Sequence, residues 1–171
     1  MQELISTLTI WALPVLFAIT LHEAAHGYAA RYFGDSTAER AGRISLNPLR
    51  HIDPMGTVIV PALIVAVSAL SSGSAMLFGW AKPVPVNFGR LRNPKADMLW
   101  VAAAGPFANL VMALGWALLF RIAIMAPENI YALPMAKMAD AGMQINAVLM
   151  LLNLLPLPPL DGGRIAVSLL P

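Results

Sequence analysis

Apolar residues run along this chain in four stretches separated by polar loops rich in proline and glycine. The first, Leu4 to about Tyr32, carries no charge from Leu4 to Thr20. It is long enough for a transmembrane helix, which needs about 20 apolar residues to cross the hydrocarbon layer. Pro14 lies inside it and is tolerated in a membrane helix because neighbouring helices re-satisfy the freed carbonyl. From Phe33 to Pro54 the chain turns polar, with Gly34-Asp35, Gly42, Asn47-Pro48 and Asp53-Pro54 as turn signals and Arg43-Ile44-Ser45-Leu46 as a short alternating strand. A small hairpin at the membrane surface is the expectation there. The second stretch, Met55 to Leu70, has Pro61 inside it, breaks at Ser71-Ser72-Gly73-Ser74 and resumes briefly from Ala75 to Trp80. Too short for a clear span, it predicts either a short crossing or a re-entrant segment. Lys82 to Asn87 reads as extended chain and Gly89 to Asp97 as a basic loop. Met98 to Met125 is the clearest span, and Ala139 to Leu155 is the last, ending in Pro156-Leu157-Pro158-Pro159-Leu160-Asp161-Gly162-Gly163.

The predicted fold is an all-α polytopic membrane protein, with three core transmembrane helices, the re-entrant or short additional hydrophobic segment and a small membrane-associated β-hairpin. Composition agrees: 58% of the 171 residues are hydrophobic and 12% charged, and a mean hydropathy of +0.70 is outside the range of soluble domains. No fixed-period repeat is evident, and 1–171 reads as one domain. No small-residue cleavage site follows the first apolar run, so that run is expected to stay as a helix. The apolar stretch that restarts after Gly163 suggests further helices beyond Pro171.

Charge settles orientation more than function. With net charge only +2 and basic residues scattered over loops, a nucleic-acid partner is not expected. If Met55 to Trp80 turns back, nine basic residues (Arg31, Arg40, Arg43, Arg50, Lys82, Arg90, Arg92, Lys95, Arg164) share one side, against Arg121 and Lys137 on the other. A full crossing reduces the bias to six against five. Positive-inside bias then favours the re-entrant form, with the N-terminus outside and the polar ends of the spans toward the cytoplasm.

The chemistry lies in those ends. His22-Glu23-Ala24-Ala25-His26 puts two imidazoles four residues apart, on one helix face, with a carboxylate beside them. Ionisable groups in such a setting cost about 2.5–3.5 kcal/mol each and are functional candidates by default. His22 and His26 are candidate zinc ligands and Glu23 a candidate general base. A catalytic zinc usually takes three protein ligands, and with no Cys the third must be another His, Asp or Glu. Asp161 is the acid embedded in an apolar stretch outside the first helix and is the candidate, although Asp-Gly is also ordinary turn chemistry. It reaches the depth of His22 only if Met55 to Trp80 turns back.

These residues resemble the site-2 protease family of intramembrane zinc metalloproteases, in its short prokaryotic branch without a PDZ domain. The marks are His22-Glu23-Ala24-Ala25-His26, Gly105-Pro106-Phe107-Ala108-Asn109, Asn153-Leu154-Leu155-Pro156 leading into Leu160-Asp161-Gly162-Gly163, and Phe78 to Asn87. The resemblance implies a Zn²⁺ enzyme of a prokaryotic plasma membrane that cleaves a peptide bond in or near the transmembrane helix of a single-span substrate. It implies Asp161 as third ligand, Asn153 beside bound substrate backbone, and a β-hairpin drawn from Gly42–Pro54 or Phe78–Asn87. An edge strand there would pair with an unwound substrate by strand addition. Asn109 is carried both as polar glue between helices and as a second candidate for substrate contact. His51 reads as a surface-loop residue bonded locally, and Trp80 and Trp100 as interfacial anchors. The rival functions are a membrane metal-ion transporter, which could use His and Asp at membrane depth, and a scaffold that binds transmembrane helices without cutting them.

Overall fold

The computed structural model describes residues 2–60, 63–64, 67 and 81–170. Its α-helices are α1 (Gln2–Tyr32), α2 (Thr37–Arg40), α3 (Pro94–Met125), α4 (Ala132–Asn153) and α5 (Asp161–Leu169). Single 3-10 turns form at Pro48–Arg50 and Phe88–Arg90, and a π-type turn at Pro54–Ile59. Two helices, α1 over Ser6–Tyr32 and α3, are long and apolar enough to cross a membrane. The stretch expected as a third span, Ala139 to Leu155, falls largely in α4, which begins earlier, is diluted by Lys137, Asp140, Gln144 and Asn146 and is not among those two.

Side-chain contacts give the direction of each long helix. Along α1 and α3, His26 meets the Val101 carbonyl and His22 meets Asn109, so the two run antiparallel. Asn146 of α4 meets Asn109, while a Cβ on Gly142, one turn earlier, would collide with Trp116 further along α3, so α4 is antiparallel to α3. The C-terminal end of α1, the start of α3 and the end of α4 therefore share one end of the bundle, which Arg92 N–H closes onto the Phe33 carbonyl at 3.0 Å.

The packing is inside-out relative to a soluble bundle. Small and polar residues fill the interior: Ala18, Ala24, Ala30, Ala102, Ala139 and Ala141, with Thr20, Asn109 and Asn146. Leu8, Phe17, Trp100, Phe107, Leu114, Leu118 and Ile122 face outward, and the apolar window of α3 is only 11% buried. This is the pattern of helices solvated by lipid, where close backbone approach and polar contacts replace hydrophobic burial.

Among the described residues there is no strand, which corrects the expected hairpin over Gly42–Pro54. The four-residue alternation at Arg43 to Leu46 finds no strand to pair with. Side chains take the backbone instead: Arg50 Nη1 donates to the Gly42 carbonyl (2.6 Å), Asn47 caps Leu49 N–H (3.0 Å), and Asp53 caps Met55 and Gly56 N–H (2.9 Å each). Of the alternative, Phe78–Asn87, and of the Met55–Trp80 stretch, much lies outside the described residues. The ends of that stretch are nonetheless joined, because Lys82 N–H donates to the His51 carbonyl at 2.9 Å. The chain thus leaves and returns at one point.

Candidate metal centre

His22 and His26 lie on the buried face of α1, their rings edge to face with centroids 4.7 Å apart. Their Nε2 atoms stand 3.1 Å from each other, and Asp161 Oδ2 stands 3.2 Å from each. All three residues are buried. Each ring's other nitrogen faces a carbonyl oxygen: His22 Nδ1 lies 2.5 Å from Asn109 Oδ1 and His26 Nδ1 lies 2.8 Å from Val101 O. A carbonyl can only accept, so both Nδ1 atoms carry the proton and both Nε2 lone pairs point at Asp161. Asp161 Oδ2 is buried with no hydrogen-bond donor. Three electron-rich atoms facing one another without a proton between them repel, and a cation relieves that.

The donor set fits zinc. Ligand atoms bonded to a tetrahedral zinc at about 2.0–2.2 Å stand roughly 3.3–3.6 Å apart, close to the triangle found here. Two neutral imidazoles and one carboxylate also leave a fourth position open, as catalytic zinc requires. Among the described residues, His22, His26 and Asp161 are the grouping of acids and histidines close enough to hold an ion.

Three elements bring these atoms together. In α1 the i, i+4 spacing places the two histidines on one face. In α3, Gly105 is the wall behind them, and a Cβ there would come within 2.6 Å of Cε1 of both rings. Asp161 is carried in by the break after α4. The helix stops at Asn153, Leu157 N–H bonds the Leu155 carbonyl (2.7 Å), and Leu160 N–H bonds the Leu157 carbonyl (2.9 Å). Gly162 and Gly163 then lie so close to the 154–158 backbone that a Cβ on Gly163 would stand 2.7 Å from Pro158 N. The glycines after Asp161 therefore serve close approach, and Asp161 is the first residue of α5, where a carboxylate is favoured by the helix dipole.

Glu23 Oε2 accepts Val84 N–H at 2.7 Å. Val84 belongs to an extended stretch, residues 81–87, that side chains hold in place. Arg43 Nη2 donates to the Lys82 carbonyl (2.6 Å) and Asp35 Oδ2 accepts Asn87 N–H (2.6 Å). Pro83 and Pro85 have no N–H, so Val84 is the one donor among residues 83–85. Glu23 takes that donor.

Asn109 is fully buried, with Oδ1 on His22 and Nδ2 on Asn146 Oδ1 (2.9 Å) and the Ala18 carbonyl (3.3 Å). Its place is behind His22, a candidate ligand, where it joins α1, α3 and α4. Asn153 is half-buried and turned back on its own helix, Nδ2 donating to the Leu149 carbonyl at 2.9 Å. His51 is bonded locally as expected, Nε2 to Ser45 O at 2.8 Å, but it is buried rather than at the surface. Trp100 is exposed, and Trp80 lies outside the described residues. Sequence reasoning missed the Val101 carbonyl, Asn146 and Val84 N–H. The last and first are main-chain groups with no side-chain signal.

Comparison with known proteins gives consistent names. Over 170 residues the chain is 38% identical to the Bacillus subtilis protein named "Putative zinc metalloprotease YwhC", covering 98% of this chain and 72% of that one. It is 32% identical over 148 residues to a Mycolicibacterium smegmatis protein, and 30% identical to a Mycobacterium tuberculosis protein, both named "Putative zinc metalloprotease Rip2". These alignments cover 86% of this chain but 52% of each relative, so the chain spans about half the length of Rip2. No family model and no solved structure matches it.

Proposed function

Because the chain belongs to the family of YwhC and Rip2, proteins named as zinc metalloproteases, we propose that it is an intramembrane zinc endopeptidase of the site-2 type. The observation that carries the reading is the convergence of His22 Nε2, His26 Nε2 and the orphaned Asp161 Oδ2 on a bundle whose outer surface is apolar. The substrate is a single-span membrane protein, cut in or near its transmembrane helix. The enzyme sits in a prokaryotic plasma membrane with the N-terminus outside and the site toward the cytoplasm.

His22, His26 and Asp161 would hold the zinc, which supplies a Lewis acid and a water of lowered pKa when bound. Glu23 acts as the base: Val84 N–H fixes Oε2, and Oε1 takes the proton from the attacking water and passes it to the leaving nitrogen. His22 and His26 keep their Nδ1 protons on Asn109 and Val101 throughout, so neither takes part in proton transfer. Asn153, near the end of α4, contacts the substrate backbone once its side chain is released from Leu149. The joined ends of the Met55–Trp80 stretch support a return to one side, which brings the end of α1 and the start of α5 to a common depth.

The test is Glu23→Gln, assayed for zinc content and for cleavage of a panel of single-span substrates in detergent or liposomes. Zinc near stoichiometric with cleavage abolished is the expected result, and retained cleavage would remove Glu23 as base. A wild-type protein that binds zinc and cuts nothing would turn the reading to a metal carrier, and one that binds no zinc would turn it to a helix-binding scaffold.

A further inference from the structure

The hydrogen bonds behind His22 do not stop at Asn109. Asn109 Nδ2 donates to Asn146 Oδ1 at 2.9 Å, and Asn146 Nδ2 donates to the Gly142 carbonyl at 2.8 Å. Both asparagines have no exposed surface. The bonds form one line from α4 through α3 to α1, and the line has a direction. Gly142 O is a main-chain acceptor, so it must receive the Asn146 amide nitrogen, which turns Asn146 Oδ1 toward α3. That oxygen in turn demands Asn109 Nδ2, a demand repeated by the Ala18 carbonyl at 3.3 Å, and turns Asn109 Oδ1 toward His22.

A side-chain amide is nearly symmetric in shape, so packing alone would tolerate Asn109 flipped. A flipped Asn109 would offer an N–H to His22 Nδ1. That contact favours the imidazole tautomer with its proton on Nε2, which leaves no lone pair on the atom that faces Asp161. We propose that Asn146 is a positioning residue of the metal centre: anchored on Gly142, it fixes the amide orientation of Asn109 and so holds His22 in the tautomer whose Nε2 lone pair faces Asp161. The proposal rests on the zinc reading of the site, but the tautomer is a property of the metal-free protein and is measured separately.

In metal-free protein, the ring-nitrogen spectrum of 15N-labelled histidine reports the tautomer, and the chain has only three histidines to assign. Asn146→Leu is expected to let the Nε2-protonated form of His22 appear and to weaken zinc binding about 10- to 100-fold, the usual effect of removing an outer-shell partner. A carboxylate at position 109 accepts from His22 Nδ1 in either orientation and needs no anchor. Asn109→Asp combined with Asn146→Leu is therefore expected to restore the tautomer and to bring zinc affinity within about 3-fold of wild type, a non-additive pair. This arm stands whether or not the single variant folds. The proposal is overturned if Asn146→Leu leaves tautomer and affinity unchanged, or if the double variant keeps wild-type helicity yet still fails to recover both. A wild-type protein that shows the tautomer but takes up no zinc would instead refute the zinc reading and leave the hydrogen-bond line standing.

Discussion

Adding one methyl group at Gly105 should dismantle the metal centre while leaving the helix that carries it intact. A Cβ at position 105 would stand 2.6 Å from Cε1 of His22 and of His26, and closer still to His26 Nε2, whereas ordinary Cβ contacts begin at 3.4 Å. The rings must therefore retreat by about 0.8 Å or more. Neither is free to do so, because His22 is bonded to Asn109 and His26 to the Val101 carbonyl, both on the same helix as Gly105. Metal sites tolerate roughly ±0.2 Å in ligand distance, so the displacement is several times what the site can absorb. The expected loss in zinc affinity is at least the 10- to 100-fold of a lost outer-shell partner, about 1.4–2.7 kcal/mol, with overpacking adding about 1–3 kcal/mol against the fold. The assay is competition titration of metal-free protein with a zinc chelator, beside thermal unfolding. Gly115→Ala on the same helix is the control, because nothing lies within 4 Å of a Cβ there. Wild-type zinc affinity in Gly105→Ala would refute the reasoning, as would an equal loss in Gly115→Ala.

Two further expectations concern the loops at the Phe33–Arg92 end of the bundle. Burial alone would push the Asp35 carboxyl up, but hydrogen bonds from Thr37 Oγ1 and N–H and from Asn87 N–H, together with the Arg90 charge, hold it below the usual carboxylate range. A folded-state value below the unfolded one adds stability that is full above about pH 4 and is lost as pH falls through the folded value. Asp35→Asn should therefore be less stable than wild type at pH 7, by about 1–3 kcal/mol, with the gap narrowing below pH 4; a gap that is constant with pH would discount the charge. For topology, the absence of native cysteine allows single cysteines at Arg50 and Arg92 to be labelled with a membrane-impermeant reagent. Labelling from the same side is expected, and labelling from opposite sides would contradict the joined ends at His51 and Lys82.

What could be read from the sequence was whatever local geometry determines. Spacing of four on a helix places His22 and His26 together without knowledge of the fold, and an acid stranded in an apolar stretch singles out Asp161. The rest depends on how helices rotate against one another. Asn109, Asn146 and Asn153 look alike in sequence; only the register of α3 on α4 decides that the first two meet behind His22 while the third turns back on Leu149. A buried polar residue within an apolar run is itself a signal, and Asn146, flanked by Ile145 and by the run from Ala147 to Leu152, carried it. A glycine in an apolar span ordinarily admits a neighbouring backbone, yet what approaches Gly105 is a pair of imidazoles. The hairpin failed because alternation over four residues is weak where arginine, asparagine and aspartate side chains compete for the backbone.

In a bundle surrounded by lipid, leucine gains little by leaving the surface, and helices are held by close packing at small residues and by polar contacts. Here those contacts are the ones that set the metal centre. Gly105 admits the imidazoles, Gly142 admits Trp116 and anchors Asn146, and Asn109 ties α1, α3 and α4 together while turning His22. Cohesion and chemistry thus share one set of side chains, so substitutions at these positions cannot be interpreted from activity alone. Metal affinity, tautomer and helicity must be followed together. The converse holds for the outward face: Leu114 and Leu118 are exposed, and exchanging them for other large apolar residues is expected to leave zinc binding unchanged.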